Sequence, residues 1–501
     1  MRISACVIVR NEERNIGNWL DHVMPMADEL VVVDTGSQDK TLEILQERGI
    51  VVHHFAWCND FSAAKNYAIG KATGDWIVFL DADEYMEKES IEAFREIMSG
   101  YHRNKRIGAI MCRLINIDAD NMNKVIGSIM QVRVFRNMPG IRYKGAVHEQ
   151  LVAEVKGCIM QYCKALTIYH TGYSASIIRQ KAERNLPILL EREKKLPSGE
   201  QGGDLLIFLM DAYNALGQYE KALAYARKAV EAKVYILGNE SHAYKGVISA
   251  LCRLKKPSRE IFTVLDEVME LFPRDAFFVI EKGHFFYVSK EYLLAAECFE
   301  KALVMYKQQQ AKANIGEGFV DDVVSLLPLL YGELAAIYML QGRRQAALDL
   351  TLQGMQIYKY NGLLVQNLYK LLADKPVVDI IQVFDCFFAR PADGYFLLNM
   401  LACVACGDFL AYYGYDSSGI AKLKMFLKTG NCAGGAVLGR SSLRPWQLLA
   451  MAGVRQMEKD KNVLDVAAKL RDLLPCMGEQ ETVEDADYMK AIAYLLQSVQ
   501  Q

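Results

Sequence analysis

The chain reads as an α/β domain on a largely parallel, Rossmann-like nucleotide-binding sheet, followed by an all-α helical solenoid. Three observations predict this. Short apolar runs alternate with helical patterns near the N-terminus, two of those runs end in acidic residues, and past about residue 175 the β-branched runs give way to helical periodicity with recurrent turns.

Ile3–Val9 is a first apolar strand, closing into Arg10-Asn11-Glu12-Glu13 and a helix patterned by Ile16, Trp19, Leu20 and Val23. Leu30–Val33 is the second strand and ends at Asp34; Gly36 can then take positive φ in the turn, and Ser37 stands where a helix cap is expected. A helix from about Thr41 to Arg48 stops at Gly49, Val51–His53 is strand three, and a helix Ser62–Ala72 precedes the strand Trp76–Leu80. Alternation at such short loop lengths predicts right-handed crossovers and a parallel sheet. After a helix from about Lys88 to Gly100, Gly108–Ile115 and Val132–Phe135 read as strands separated by a polar excursion, Asn121–Gly127, and Gly145–Leu151 and Leu166–Tyr173 as later strands.

The chemistry is expected at the carboxyl edge of that sheet, where open α/β folds bind ligands. Trp76–Leu80 breaks abruptly into Asp81-Ala82-Asp83-Glu84. Two carboxylates one residue apart, with no basic neighbour in sequence, repel at neutral pH, and hard oxygen donors call for Mg²⁺ or Mn²⁺ shared with substrate phosphates. Asp-x-Asp is also common in solvated loops, and Asp34 in Asp-x-Gly-Ser is ordinary turn chemistry; the strand-end placement of both favours function. A transfer to a protic acceptor needs a group to take the acceptor's proton, and the pair His148-Glu149 offers Glu149 as that base. On a regular strand His148 would point to the opposite face, leaving it as the next candidate. His170, just before Gly172, suits a further metal ligand beside Asp83 and Asp81, with a core histidine as the bland alternative. Arg133, Arg136 and Arg142 add basic character of low specificity. No Gly-x-Gly-x-x-Gly follows strand one, which argues against NAD or FAD.

Val7–Glu13, Val33–Thr41, Ala63–Gly70 and Phe79–Glu84 stand in the order of the motifs of family 2 glycosyltransferases, which have the GT-A fold, and the chain resembles that family over about residues 1–175. The resemblance implies a nucleotide-diphosphate sugar as donor, a UDP-sugar first of all, and a divalent metal, Mn²⁺ or Mg²⁺, on its diphosphate. Carried over position by position, Val9, Arg10 and Glu12 line the nucleotide, Asp34 holds the base, Lys65 or Asn66 reaches the nucleotide, and Asp81, Ala82 and Asp83 contact ribose and metal. The family also supports a late histidine ligand such as His170. Arg10 departs from the commoner tyrosine; a guanidinium can stack or pair with phosphate instead. Lys65 and Asn66 could equally serve their helix start, and Glu12 the dipole of the next helix.

Residues 176–203 read as an amphipathic bracing helix, Ile177–Glu193, and a linker, Leu196–Gly203. Residues 204–360 follow as repeats: Asp211–Ala229 looks like a tetratricopeptide unit with glycine at its turn, related patterns return at Phe285–Ala296 and Ile337–Leu348, and Ser241–Phe272 fits a degenerate copy. Residues 361–501 continue helix-like with a loop near Thr429–Gly435. A net charge of −2 over 501 residues offers no basic stripe for nucleic acid. The N-terminus opens straight into a strand, the apolar stretch Phe396–Cys406 is too short for a bilayer, and twelve scattered cysteines fit reduced thiols, so a cytoplasmic protein is expected. Cys403 and Cys406 read as core residues ahead of a redox or zinc pair.

The favoured reading is an inverting, metal-dependent glycosyltransferase whose solenoid holds a peptide, protein or glycan acceptor, since solenoid faces bind extended chains. A nucleotide-binding scaffold with a decayed active site, or a sugar nucleotidyltransferase, are the alternatives; intact Asp34, Asp81 and Asp83 speak against the first and the missing Gly-rich basic loop against the second.

Overall fold

The computed structural model describes residues 1–197, 202–236, 239–313, 321–390, 392–401 and a few residues up to 413. The expected loop at 429–435, the Cys403–Cys406 pair and the tail beyond 413 lie outside the described residues.

The first strands and helices form as expected: β1 (Ile3–Val9), α1 (Ile16–Val23), β2 (Glu29–Asp34), α2 (Thr41–Glu47), β3 (Val52–His54), α3 (Phe61–Lys71) and β4 (Trp76–Phe79). Then follow β5 (Glu84–Met86), α4 (Lys88–Arg103), β6 (Ile107–Asp118), β7 (Lys124–Arg136), β8 (Ile141–Lys144), β9 (Gln150–Ala153) and β10 (Ile159–His170). Eight strands make one sheet in the order β3-β2-β1-β4-β7-β6-β10-β5. β1 to β4 are mutually parallel, and β7 enters antiparallel between β4 and β6. This mixed sheet, helices on both faces, is the arrangement expected of a GT-A domain. Successive strand residues serve opposite faces. Trp76, Val78 and Leu80 pack with Trp19 of α1 and Phe94 of α4, whereas Ile77 and Phe79 pack with Ala68 and Ile69 of α3.

Three local expectations are corrected. Lys124–Gly127 belongs to β7, paired with β6, because the hairpin turns tightly at residues 119–123. Residues 145–149 form a loop between β8 and β9, with Gly145 at φ 104° and His148 at φ 55°, so His148 takes no strand orientation. Ser37 caps no helix; its Oγ accepts from the Asn11 N–H at 3.0 Å, while Gly36 does take positive φ, 108°.

The helical part begins with α5 (Ala175–Lys194), which contains Pro187, and continues as α6 (Asp204–Ala215), α7 (Tyr219–Glu231), α8 (His242–Arg253), α9 (Ser258–Leu271), α10 (Ala276–Val288) and α11 (Tyr292–Ala313). The turns inside successive hairpins share one device. Gly217, Lys255 and Lys290 each adopt left-handed φ, 72°, 52° and 63°, directly after the first helix, and Gly342 does so at 73° between α12 (Leu327–Leu340) and α13 (Arg344–Ile357). Each hands the following N–H back into the preceding turn, as Lys256 does to the Leu251 carbonyl at 3.0 Å, closing a Schellman cap.

The repeats are sewn to the sheet. Val147, Ala182 and Leu189 share a core with Leu205, Leu209 and Tyr213 of α6. Asp321 pairs with Ser128 of β7 through backbone hydrogen bonds of 2.8 and 2.9 Å. Met1–Ile337 accordingly forms one compact unit. In the second, Tyr338 onward, α14 (Gly362–Leu372), α15 (Val377–Asp385) and α16 (Gly394–Leu401) follow α13, with the Phe384 and Phe409 rings 4.9 Å apart in its core. Among the described residues no helix is long and apolar enough to cross a membrane.

Candidate active site

Register brings the acidic residues to one edge. Val9 pairs with Asp34 and Cys6 with Phe79, so Arg10, Thr35 and Asp81 all leave the sheet on the same side. Asp34 is buried, and its carboxylate accepts from the Gly36 and Ser37 N–H groups at 3.0 Å each. His54 Nδ1 lies 3.6 Å away. Backbone amides thus hold an anionic side chain at the end of β2, where a base could be met.

Asp81 is enclosed by cations the bare sequence order does not reveal. Lys65 Nζ lies 2.8 Å from Asp81 Oδ1, and Arg133 Nη2 3.3 Å from Oδ2. Arg133 also forks onto Glu84, Nε to Oε2 at 2.7 Å and Nη2 to Oε1 at 2.5 Å, with the Glu84 side chain fully buried. Burial would raise the Asp81 carboxyl and lower the Lys65 ammonium, yet their mutual attraction, with Arg133 on one and Glu149 on the other, overrides it: Asp81 is held below and Lys65 above its ordinary range. The expected repulsion is therefore already neutralised. Both Asp81 oxygens are engaged, one by Lys65 and one by Arg133. Lys65 is a buried counter-ion reaching Asp81 and Glu149, and its charge sits over the Phe79 and Tyr143 rings at 5.2 and 5.1 Å. Asn66 is spent on structure as well: it exchanges two 2.9 Å hydrogen bonds with the Tyr143 backbone.

Asp83 stands in a different setting. β5 and β10 are antiparallel with His170 opposite Glu84, and β10 and β6 place His170 opposite Asn116. Hence His170 Nε2 comes to 3.2 Å from Asp83 Oδ2, and Nδ1 to 3.1 Å from Asn116 Oδ1. With Nδ1–H donated to the amide oxygen of Asn116, Nε2–H bonds Asp83 here, and only loss of that Nε2 proton would free its lone pair for an ion, as in ligating histidines. Lys181 of α5 reaches the same Asp83 Oδ2 at 2.9 Å. Burial would push the Asp83 carboxyl up; the His170 hydrogen bond and charge, and then Lys181, hold it well below the usual carboxylate range. A Cβ added at Gly172 would collide at once with Lys181 Nζ, Asp83 Oδ2 and His170 Nε2, so glycine keeps open the space these groups share. One carboxylate and one imidazole around that space fit a divalent ion completed by water and phosphate oxygens. No cluster of three or more such side chains occurs among the described residues.

Glu149 lies in the 145–149 loop with Oε1 2.7 Å from Lys65, and Oε2 has no protein partner among the described residues. His148 turns elsewhere: its ring stacks on Phe208 of α6, centroids 4.0 Å apart, and burial lowers its pKa. Glu12 lies just before α1. Its carbonyl accepts the Asn15 and Ile16 N–H groups at the start of α1, while burial first, and then the Asp83 charge, push its carboxyl up to about 7 against the Asn15 hydrogen bond. Arg10 is exposed at the end of β1 and Ala82 buried between the two aspartates.

Lys181, Gly172, Asn116 and Glu84 were not legible as site residues, since each lies far along the chain from the group it serves or looks generic in sequence. Arg133 belongs here, but Arg136 and Arg142 do not: Arg136 stacks on Trp76 and donates to the Ile107, His102 and Asn104 carbonyls, and Arg142 donates to the Met138 and Ile141 carbonyls.

Residues 4–165 match the family described as Glycosyl transferase family 2. That span is a family 2 glycosyltransferase domain. A TPR repeat-containing protein of Synechococcus elongatus is 39% identical over 148 residues, 30% of this chain and 35% of its own length. Glycosyltransferase SunS of Bacillus subtilis is 26% identical over 258 residues, 50% of this chain and 58% of its own. The chain thus spans between about a third and somewhat over half of these relatives. The crystal structure of S. aureus TarS 1-349 overlaps at 16% identity and a TM-score of 0.27, covering 50% of this chain and 81% of that one.

Proposed function

We propose that the protein transfers a sugar from a nucleotide-diphosphate sugar to an acceptor, with inversion. The observation that carries this reading is the convergence at the carboxyl edge of β4 of a buried, amide-held Asp34, an Asp83–His170 pair 3.2 Å apart and an anchored Glu149. Asp34 is positioned to hold the base. Asp83 and His170 would hold Mn²⁺ or Mg²⁺, and such an ion would neutralise charge on the diphosphate as the sugar–oxygen bond breaks.

Glu149 is the proton acceptor in this reading. Lys65 fixes one carboxylate oxygen and leaves the other to take the proton of the attacking acceptor group, so the base is aimed without being enclosed. The adjoining loop residues Val147 and His148 pack on α6, which supports an acceptor held by the first repeat within reach of the base. A peptide or protein acceptor suits an extended helical surface. SunS is named a glycosyltransferase and the Synechococcus elongatus relative a TPR repeat-containing protein, and resemblance to each over part of the chain supports a transferase joined to repeats.

The test is a panel of nucleotide sugars offered to the full chain with and without Mn²⁺, following donor hydrolysis and thermal shift, with UDP-sugars expected to respond. Glu149→Gln should keep donor affinity and lower transfer by about 10²- to 10⁴-fold. Transfer by that variant at more than about a tenth of the normal rate would reassign the base. No response to any nucleotide sugar would defeat the reading.

A further inference from the structure

α5 does more than join sheet to repeats. Lys181 Nζ lies 2.9 Å from Asp83 Oδ2 and 3.3 Å from the Gly172 carbonyl, and its side chain is still 36% exposed. One turn further on, the Arg184 guanidinium lies 4.8 Å over the ring of Phe61, the first residue of the helix that carries Lys65. Its Nε donates to Asn185 Oδ1 at 3.0 Å, and it has no carboxylate partner among the described residues. The acidic groups that act on it are Glu12, Asp83 and Glu149, with Arg10 opposing them. A helix outside the matched span 4–165 therefore presents two cations to the site, one of them seated on the oxygen a divalent ion would need.

An ammonium and a divalent ion compete for a single carboxylate oxygen. Lysine is a point charge on a flexible stem, and a diphosphate brings at least two negative charges against the one on Asp83. We propose that Lys181 is an exchangeable counter-ion: it neutralises Asp83 while no donor is bound, and moves with Arg184 onto the diphosphate when one arrives, releasing Asp83 Oδ2 to the metal. Metal and diphosphate binding are thereby coupled, because each removes what hinders the other. The inference rests on the transferase reading for its ligand, and it assigns the diphosphate's cations to α5.

Calorimetric titration of the full chain with pyrophosphate, and separately with MnCl₂, tests it without any turnover. Lys181→Met and Arg184→Met should each weaken metal-free pyrophosphate binding by about tenfold or more, the scale of a hydrogen bond to a charged group. Asp83→Asn should tighten it, since the ammonium is no longer sequestered, and the gain should shrink when Lys181→Met is added; the bare loss of a negative charge would help both backgrounds equally. Lys181→Met should also bind Mn²⁺ alone about tenfold more tightly than the natural chain. Melting curves identify any variant that fails to fold, and the remaining two then decide. Unchanged pyrophosphate affinity in both cation variants, unchanged Mn²⁺ affinity in Lys181→Met, or no pyrophosphate binding by the natural chain at millimolar concentration overturns the proposal. Should the predicted pattern appear while no nucleotide sugar is turned over, the transferase reading fails and the anion site stands.

Discussion

The sheet domain and the helical repeats are held together by different physics. In the sheet domain the decisive contacts are charged, buried and remote in sequence: Arg133 to Glu84 across 49 positions, His170 to Asp83 across 87, Lys181 to Asp83 across 98. In the repeats the core contacts are apolar, with Leu251, Leu265 and Phe278 in one core and each hairpin closed by its own backbone cap. Exposed ion pairs there, such as Arg227–Glu260, contribute little, while Lys245–Asp322 and His284–Glu333 are partly buried. The sheet domain should therefore fail when one buried charge is removed, whereas the repeats should respond chiefly to loss of apolar surface and not to loss of an exposed charge.

The boundary between the two regions offers the largest break. A chain ending at Leu196 would strip Leu205, Leu209 and Tyr213 from the core they share with Val147, Ala182 and Leu189. Re-exposing Val147 and Leu189 at about 1.5–3 kcal/mol each costs about 3–6 kcal/mol, comparable to the whole stability margin of a small domain. Such a fragment should aggregate, or bind the dye ANS, where a chain ending after α11 does not; a monomeric, cooperatively melting fragment would show that the sheet domain stands alone.

Within the sheet domain, Arg133→Met is expected to cost about 3–5 kcal/mol, because it leaves the fully buried Glu84 carboxylate without its partner. The denaturant midpoint measures it. Arg227→Met in the repeats should stay within about 0.5 kcal/mol of the natural chain. Equal losses from the two would erase the contrast.

This contrast also explains what the sequence could tell. β1 to β4 and the acidic edge were legible because apolar runs, alternation and strand-end carboxylates are local signals. The partners of those carboxylates were not: nothing near Asp81 and Asp83 in sequence announces Lys65, Arg133 or Lys181, so a neutralised cluster looked like a repulsive one. The His148–Glu149 segment reads as a strand by composition, but Gly145 at positive φ and the packing of Val147 and His148 on α6 make it a loop. The repeats were legible at Gly217 and Gly342, where glycine marks the hairpin turn, and around Lys290, and faded in the copy that turns at Lys255.

A subtler sharpening comes from Glu12. Its carboxyl is raised from 4.5 to about 7 chiefly by burial, so the folded state holds a proton that the unfolded chain has released. The sign follows from linkage: stability from this group is present below about pH 4.5, is lost as pH rises towards 7, and changes no further above that. Glu12→Gln keeps an oxygen for the Asn15 amide and removes the titration. The variant should match the natural chain at pH 4 and exceed it at pH 8 by on the order of 1–3 kcal/mol. Parallel stability-versus-pH curves for the two proteins would contradict the buried-charge picture of the sheet domain. No comparable pH step is expected from exposed pairs in the repeats.

The smallest expected effect lies in the repeats. Lys255 sits at φ 52° in the cap that Gly217 forms at φ 72° one hairpin earlier, and a side chain at that position clashes with the following carbonyl. The left-handed conformation costs an ordinary residue about 1–2 kcal/mol, and glycine gives back about 0.4–1 kcal/mol through the freedom it adds to the unfolded chain. Lys255→Gly should therefore raise stability by about 0.5 kcal/mol, and Lys290→Gly, at φ 63°, by a similar amount. Because the two caps lie in separate hairpins with no shared partner, the gains should add in the double variant. The measurement is the midpoint of chemical unfolding for both singles and the double. A loss of stability in either single would mean that the lysine side chain contributes to its hairpin, and that the repeats depend on charge in the way the sheet domain does.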